Sequence, residues 1–173
     1  MKNGFNKFAR LPAPEAAGNG GQATSGFTII EIIVAISILS IIAVIFVSTF
    51  SRFNKAVTLS RDAEQIVSIL NQARTNTIAS KAGIQYGVHF ETTKVVAFAG
   101  AVYIADASTN DTFYLKTFES LSNISFGGGG SNVVFSRVTG VTSNFGSITL
   151  SVLGAGAASK TISISANGLA SLQ

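Results

Sequence analysis

The chain contains no cysteine. Disulfides, thiolate metal sites and cysteine nucleophiles are therefore excluded, and the redox compartment is left open. Any part of the chain that folds must be held by its own core. Charge is also scarce: charged residues make up 12% of the 173 residues, against 47% hydrophobic. The twelve Lys and Arg are scattered and give a formal net charge of only +4, with no run that would grip nucleic acid, so no specific nucleic-acid binding is expected. Proline occurs twice, at Pro12 and Pro14, and histidine once, at His89. The single histidine lies in IQYGVHF on the face opposite Ile84, Tyr86, Val88 and Phe90, which predicts an exposed strand residue. No Ser/His/Asp arrangement can be built around it.

Residues 1–26 hold both prolines and end in GNGGQATSG. Such a segment cannot bury a core and is expected to be disordered. It does not read as an ordinary secretory signal, in which the apolar stretch precedes the cleavage site. Here the apolar stretch follows the small residues. Residues 27–50 contain no Gly, no Pro and one charge, Glu31. About 20 apolar residues suffice to cross a bilayer as a helix, so this segment is expected to be embedded in lipid. Lys and Arg flank it on both sides and leave its orientation open.

Gly and Pro remain absent from 51 to 82. Leu59, Ala63, Ile66, Leu70, Ala73 and Thr77 recur at spacings of four and three, which places them on one helical face. The spacing predicts that one helix runs on to about Ala82 and that Gly83 stops it. That face is expected to pack against the domain that follows. From residue 83 the apolar period becomes two. IQYGVHF, KVVAFAGAVYIA, TFYLKTF, NVVFS, SITLSVL and KTISIS read as strands. Asn167-Gly168 predicts a two-residue hairpin turn, and 127–130 and 154–158 predict flexible connections. Ile148, Leu150, Val152, Ile162 and Ile164 are expected to face the helix or a second sheet. The resulting expectation is an α+β chain with a segment 1–26, a membrane-length helix 27–50, an amphipathic continuation 51–82 and an antiparallel β-rich head 83–173.

The stretch Gly26-Phe27-Thr28-Ile29-Ile30-Glu31 resembles the processing site of type IV prepilins and type II secretion pseudopilins. Three features coincide in it: Gly before an aromatic residue, Glu at the fifth position after that Gly, and an unbroken apolar run. The resemblance implies cleavage between Gly26 and Phe27 by a prepilin peptidase, which then N-methylates Phe27. It implies a precursor that crosses the cytoplasmic membrane once with its head outside the cytoplasm. It further implies assembly with other pilin or pseudopilin subunits through the N-terminal helix, in a pilus or secretion pseudopilus. A charged acid within hydrocarbon costs roughly 2.5–3.5 kcal/mol on insertion scales, so it persists where it has a partner or a use. The expected use of Glu31 is to compensate a Phe27 amine, its own or a neighbour's, when helices pack side by side.

Ser60 onward, SRDAEQIVSILNQARTNTIASKA, is similar to the second half of the helix in minor pseudopilins of the GspH/FimT kind, through Ala63, Ile66, Leu70, Ala73, Arg74 and Ala79. Phe135, Gly140, Gly146, the strand 147–152 and the stretch 160–168 resemble that group's C-terminal pattern. The chain departs from the wider family in four ways. Its leader is long, Ser25 stands where Lys or Arg often precedes the Gly, and Ser40 and Ser48 stand where many members carry Gly and Pro. No Cys pair closes a C-terminal loop, which favours a minor subunit. The loop 106–111 (DASTND) lacks the twelve-residue calcium pattern and reads as a turn. The glycines 127–130 lack the Lys-Ser/Thr of a phosphate loop. No catalytic residue, cofactor or metal is therefore expected. A permanently membrane-anchored extracytoplasmic binding module is the alternative reading.

Overall fold

The computed structural model describes residues 26–154 and 158–173. The expected leader lies, but for Gly26, outside the described residues, as does most of the 154–158 connection. One helix, α1 (Ile29–Ile78), opens the chain. Two units are distinguished, meeting at Ile42 and Ala43. In the N-terminal unit the described residues are 26–42, and their side chains are all exposed.

The second unit is organised by the apolar stripe of α1. Leu59, Ala63, Ile66 and Leu70 are fully buried, and Ala73 and Thr77 nearly or fully so, so every position of the four-and-three pattern faces inward. Against this stripe pack eight strands: β1 (Tyr86–Phe90), β2 (Lys94–Ala99), β3 (Asp111–Tyr114), β4 (Glu119–Phe126), β5 (Asn132–Val134), β6 (Gly146–Val152), β7 (Ser159–Ile164) and β8 (Ala170–Leu172). They form two four-stranded sheets, ordered β3-β2-β1-β5 and β4-β6-β7-β8, with antiparallel pairing throughout. One apolar cluster joins the helix stripe to Val88, Phe90, Val95 and Val133 of the first sheet and to Leu121, Ile148, Leu150, Ile162 and Ile164 of the second. The α+β architecture is thus a helix packed on two small antiparallel sheets. Val152 is only half-buried at the edge of that cluster.

Four local expectations are corrected. The helix ends at Ile78, short of Ala82. Thr77 Oγ1 accepts the Tyr86 N–H at 2.9 Å while donating to Ala73 O at 2.8 Å, which draws β1 back against the last turn. The chain must reverse within a few residues, and Ser80, Ala82 and Gly83 take positive φ around a short 3-10 turn, Lys81–Gly83. Second, β2 stops at Ala99 and residues 100–110 form a loop rather than the end of a long strand. Third, β4 has no counterpart among the expected strands. Its sequence ESLSNISF is rich in Ser and Asn, and its register shifts between Ser122 and Ser125 around Asn123, whose φ is 50°. Fourth, the turn before β8 is not a two-residue hairpin. Gly168 N–H donates to Ser165 O at 2.8 Å, so Ala166 and Asn167 are the central residues and Gly168 alone is left-handed, at φ 78°.

Candidate functional site: the helix start and its anchorage in the head

The helix start is built by Thr28. Its side-chain oxygen accepts the Glu31 N–H at 3.2 Å, and its carbonyl accepts the Ile32 N–H at 3.2 Å. Thr28 is therefore the N-cap and Glu31 the third helical residue, the T-x-x-E spacing of a capping box. Beside the pairing with a Phe27 amine expected of it, Glu31 thus has a local part at the helix start, signalled in the sequence by Thr28 three residues earlier. An acid in the first helical turn also faces the positive end of the helix dipole. Gly26 and Phe27 precede the cap; a Cβ at Gly26 would meet nothing within 4 Å, and Phe27 is 78% exposed. Gly26 and Phe27 thus form a short, open stretch just ahead of the helix, and Glu31 lies in its exposed first turn. Glu31 has no ion-pair partner among the described residues.

Behind this start the helix presents an uncovered apolar surface. Ile29, Ile36, Leu39, Ile45 and Phe50 are each more than half exposed. Among the described residues α1 alone is long and apolar enough to cross a membrane. Its hydroxyls do not contradict that environment. Ser37 donates to Ile33 O at 2.7 Å, Ser40 to Ile36 O at 2.8 Å and Thr49 to Ile45 O at 3.0 Å. Each polar group is satisfied within the helix, as hydrocarbon demands. Ser40 is thus held within the continuous helix by its own bond to Ile36 O.

At the other end of α1, Arg74 ties the helix to the head. Its Nε–H points at both Gly140 O, 3.2 Å away, and Asn167 O, 3.3 Å away. Gly140 and Gly168 are both buried and close against the Arg74 side chain. Three features that a family resemblance had marked separately in sequence (Arg74, Gly140 and the Asn167-Gly168 pair) thus meet in one contact. Phe135 is fully buried in the core, and Gly146 lies where a Cβ would collide with the Ser125 carbonyl of β4.

His89 is not an open surface residue. Its ring stacks on Tyr103 at 4.0 Å, and its side chain is 17% exposed. Nδ1 lies 2.6 Å from Asn132 Oδ1 and Nε2 3.4 Å from Glu91 Oε1. Tyr103 belongs to the 100–110 loop, which folds over the outer face of the first sheet and also meets Phe98; sequence periodicity does not report such long-range cover. In the loop 106–111, Asn110 Nδ2 donates to Ile104 O at 2.9 Å, a local turn contact. No group of three or more His, Cys, Asp or Glu capable of holding a metal occurs among the described residues.

Comparison with known proteins matches one family model, the prokaryotic N-terminal methylation motif, over residues 22–47. No curated protein and no solved structure matches the chain. The matched segment spans the Gly26-Phe27 bond, the Thr28 cap, Glu31 and most of the uncovered apolar helix, and it supports reading the chain as a pilin-like precursor.

Proposed function

We propose that this protein is a structural subunit, a minor pilin or pseudopilin, of a type IV pilus-like or type II secretion filament. The observation that carries the reading is the coincidence of the methylation motif over 22–47 with an apolar helical segment whose side chains are exposed among the described residues. In this reading a prepilin peptidase hydrolyses the Gly26–Phe27 bond on the cytoplasmic side of the membrane. The new Phe27 amine is then methylated and stays positively charged. Glu31 lies one helical turn away, so each subunit brings a cation and an anion at nearly the same depth. Paired between neighbours, they offset the cost of holding either charge away from water. The apolar helix exchanges lipid for other helices by van der Waals packing, and the two-sheet head forms the filament surface. Within the family, the helix pattern around Ala73 and Arg74, the Arg74–Gly140–Asn167 contact and the absence of cysteine favour a minor pseudopilin of the GspH/FimT kind.

Mass spectrometry of the N-terminus of protein isolated from cells tests the proposal. A mature chain beginning with N-methyl-Phe27 is the expected result. A chain that keeps the Gly26–Phe27 bond intact overturns it, and leaves a permanently anchored extracytoplasmic module.

A further inference from the structure

Where α1 meets β4, Asp62 and Glu119 bring two carboxylates together, each with one buried oxygen that no donor satisfies. Glu119 opens β4 and is 2% exposed. Its Oε2 accepts the Lys116 N–H at 3.3 Å, and its own N–H donates to Lys116 O at 2.9 Å, closing a tight turn. The other oxygen, Oε1, is buried without a partner, and so is Oδ2 of Asp62 on α1. Ionised carboxylates only accept hydrogen bonds, so two of them in contact leave both oxygens orphaned in a medium where that is costly. One proton removes the conflict, because a protonated carboxyl donates to its neighbour.

The charged groups around the pair are few. Asp62 faces Glu119 from α1, and Lys116 lies on the turn itself. Across the sheet, Glu119 pairs with Val152 of β6, and the adjoining Phe118 O accepts the Leu153 N–H, so that side carries no charge. Lys55 of α1 is engaged next door, with Nζ 5.6 Å from the centre of the Phe118 ring. Phe118 also walls an open groove of about 630 Å³ whose other wall includes Phe46, Val47 and Phe50 of α1.

We propose that Asp62 and Glu119 share one proton, and that this proton latches the turn at 116–119 onto α1 and releases it as pH rises. Burial first, and then the Asp62 carboxylate, push the Glu119 pKa up from 4.5 to about 7, against the opposing Lys116 N–H and charge. An acid whose proton is held more tightly in the folded state stabilises that state below its unfolded pKa. Here that contribution is full below about 4.5 and is lost as pH climbs through about 7. Above that value Glu119 gives up the proton that joins the two carboxyls, and the turn bearing Phe118 lifts from the helix and widens the groove. The inference rests on the head alone and is independent of the filament proposal.

The test is amide hydrogen exchange on the full chain in detergent micelles, expressed as protection factors so that the intrinsic pH dependence of exchange cancels. For amides of residues 116–121, protection in the wild type should fall by about 10- to 100-fold between pH 5 and pH 8.5, a range set by a pKa raised from 4.5 to about 7. Glu119→Gln, which donates to Asp62 at every pH, should keep the same protection at both ends. Asp62→Asn, which removes the facing carboxylate and can donate to an ionised Glu119, should shrink the fall well below that of the wild type, since only burial then raises the Glu119 pKa, and it provides a second route if the first variant does not fold. Protection in the wild type that is unchanged across the range, or an equal fall in Glu119→Gln, would overturn the latch.

Discussion

Replacing Gly168 by alanine measures how tightly the end of α1 is locked to the head. Gly168 has a φ of +78°, and a Cβ there would overlap the Gly140 carbonyl oxygen and sit 3.0 Å from Arg74 Nε. Gly129 supplies the matched control: its φ is +77°, but a Cβ there would meet nothing within 4 Å. Both alanine variants force a left-handed residue, at about 1–2 kcal/mol. Only Gly168→Ala must also move a backbone carbonyl, at about 1–3 kcal/mol for the overpacking. That carbonyl is one of the two acceptors of Arg74, and weakening a charged hydrogen bond adds about 1.5–3 kcal/mol. The expected losses are therefore about 1–2 kcal/mol for Gly129→Ala and about 3.5–8 kcal/mol for Gly168→Ala. At about 2–4 °C per kcal/mol for a chain of this size, the melting temperature should drop by a few degrees in the first case and by about 7–30 °C in the second. Thermal unfolding of the full chain in detergent, followed by circular dichroism, separates them. Two variants that melt within a degree or two of one another would show that the Arg74 contact is not rigid and that the argument from close approach is wrong.

Leu70 lies in the middle of the helix stripe with no exposure, so Leu70→Ala should lower stability by about 2.7–5 kcal/mol, depending on how far the cavity collapses, as read by denaturant unfolding. Glu31→Gln keeps the backbone N–H that Thr28 caps but removes the charge. Cleavage at Gly26 should continue while incorporation into filaments, quantified in sheared material, falls about tenfold or more; undiminished incorporation would reduce Glu31 to a helix-starting residue.

The helix was readable because its signal is local. Every position in the series from Leu59 to Thr77 is buried, as a period between three and four requires. The same holds for Val88 and Phe90 in β1 and for Ile162 and Ile164 in β7, where alternation is clean. β4 escaped because Ser122, Asn123 and Ser125 break that alternation, and the bulge at Asn123 is where the strand twists out of register. The helix end was misplaced because Gly83 is a strong stop signal, whereas the actual stop comes from Tyr86 bonding back to Thr77, a contact without sequence punctuation. The cap at the other end was readable and overlooked: Thr28 and Glu31 have the required spacing. The Asp62–Glu119 pair could not be read at all. Its members sit on different elements, and a buried carboxylate on an amphipathic helix looks like any exposed one until the fold brings its partner.

The hydroxyls of Ser37, Ser40 and Thr49 turn inward on their own backbone. None of these three groups makes a polar request of its surroundings. In the proposed filament, acyl chains and the flanks of sister rods are then interchangeable solvents at these turns, and passage from one to the other breaks none of the three hydrogen bonds. Whatever work is needed to lift such a rod from a bilayer goes into parting oily surfaces and carrying charge, not into rewiring the helix.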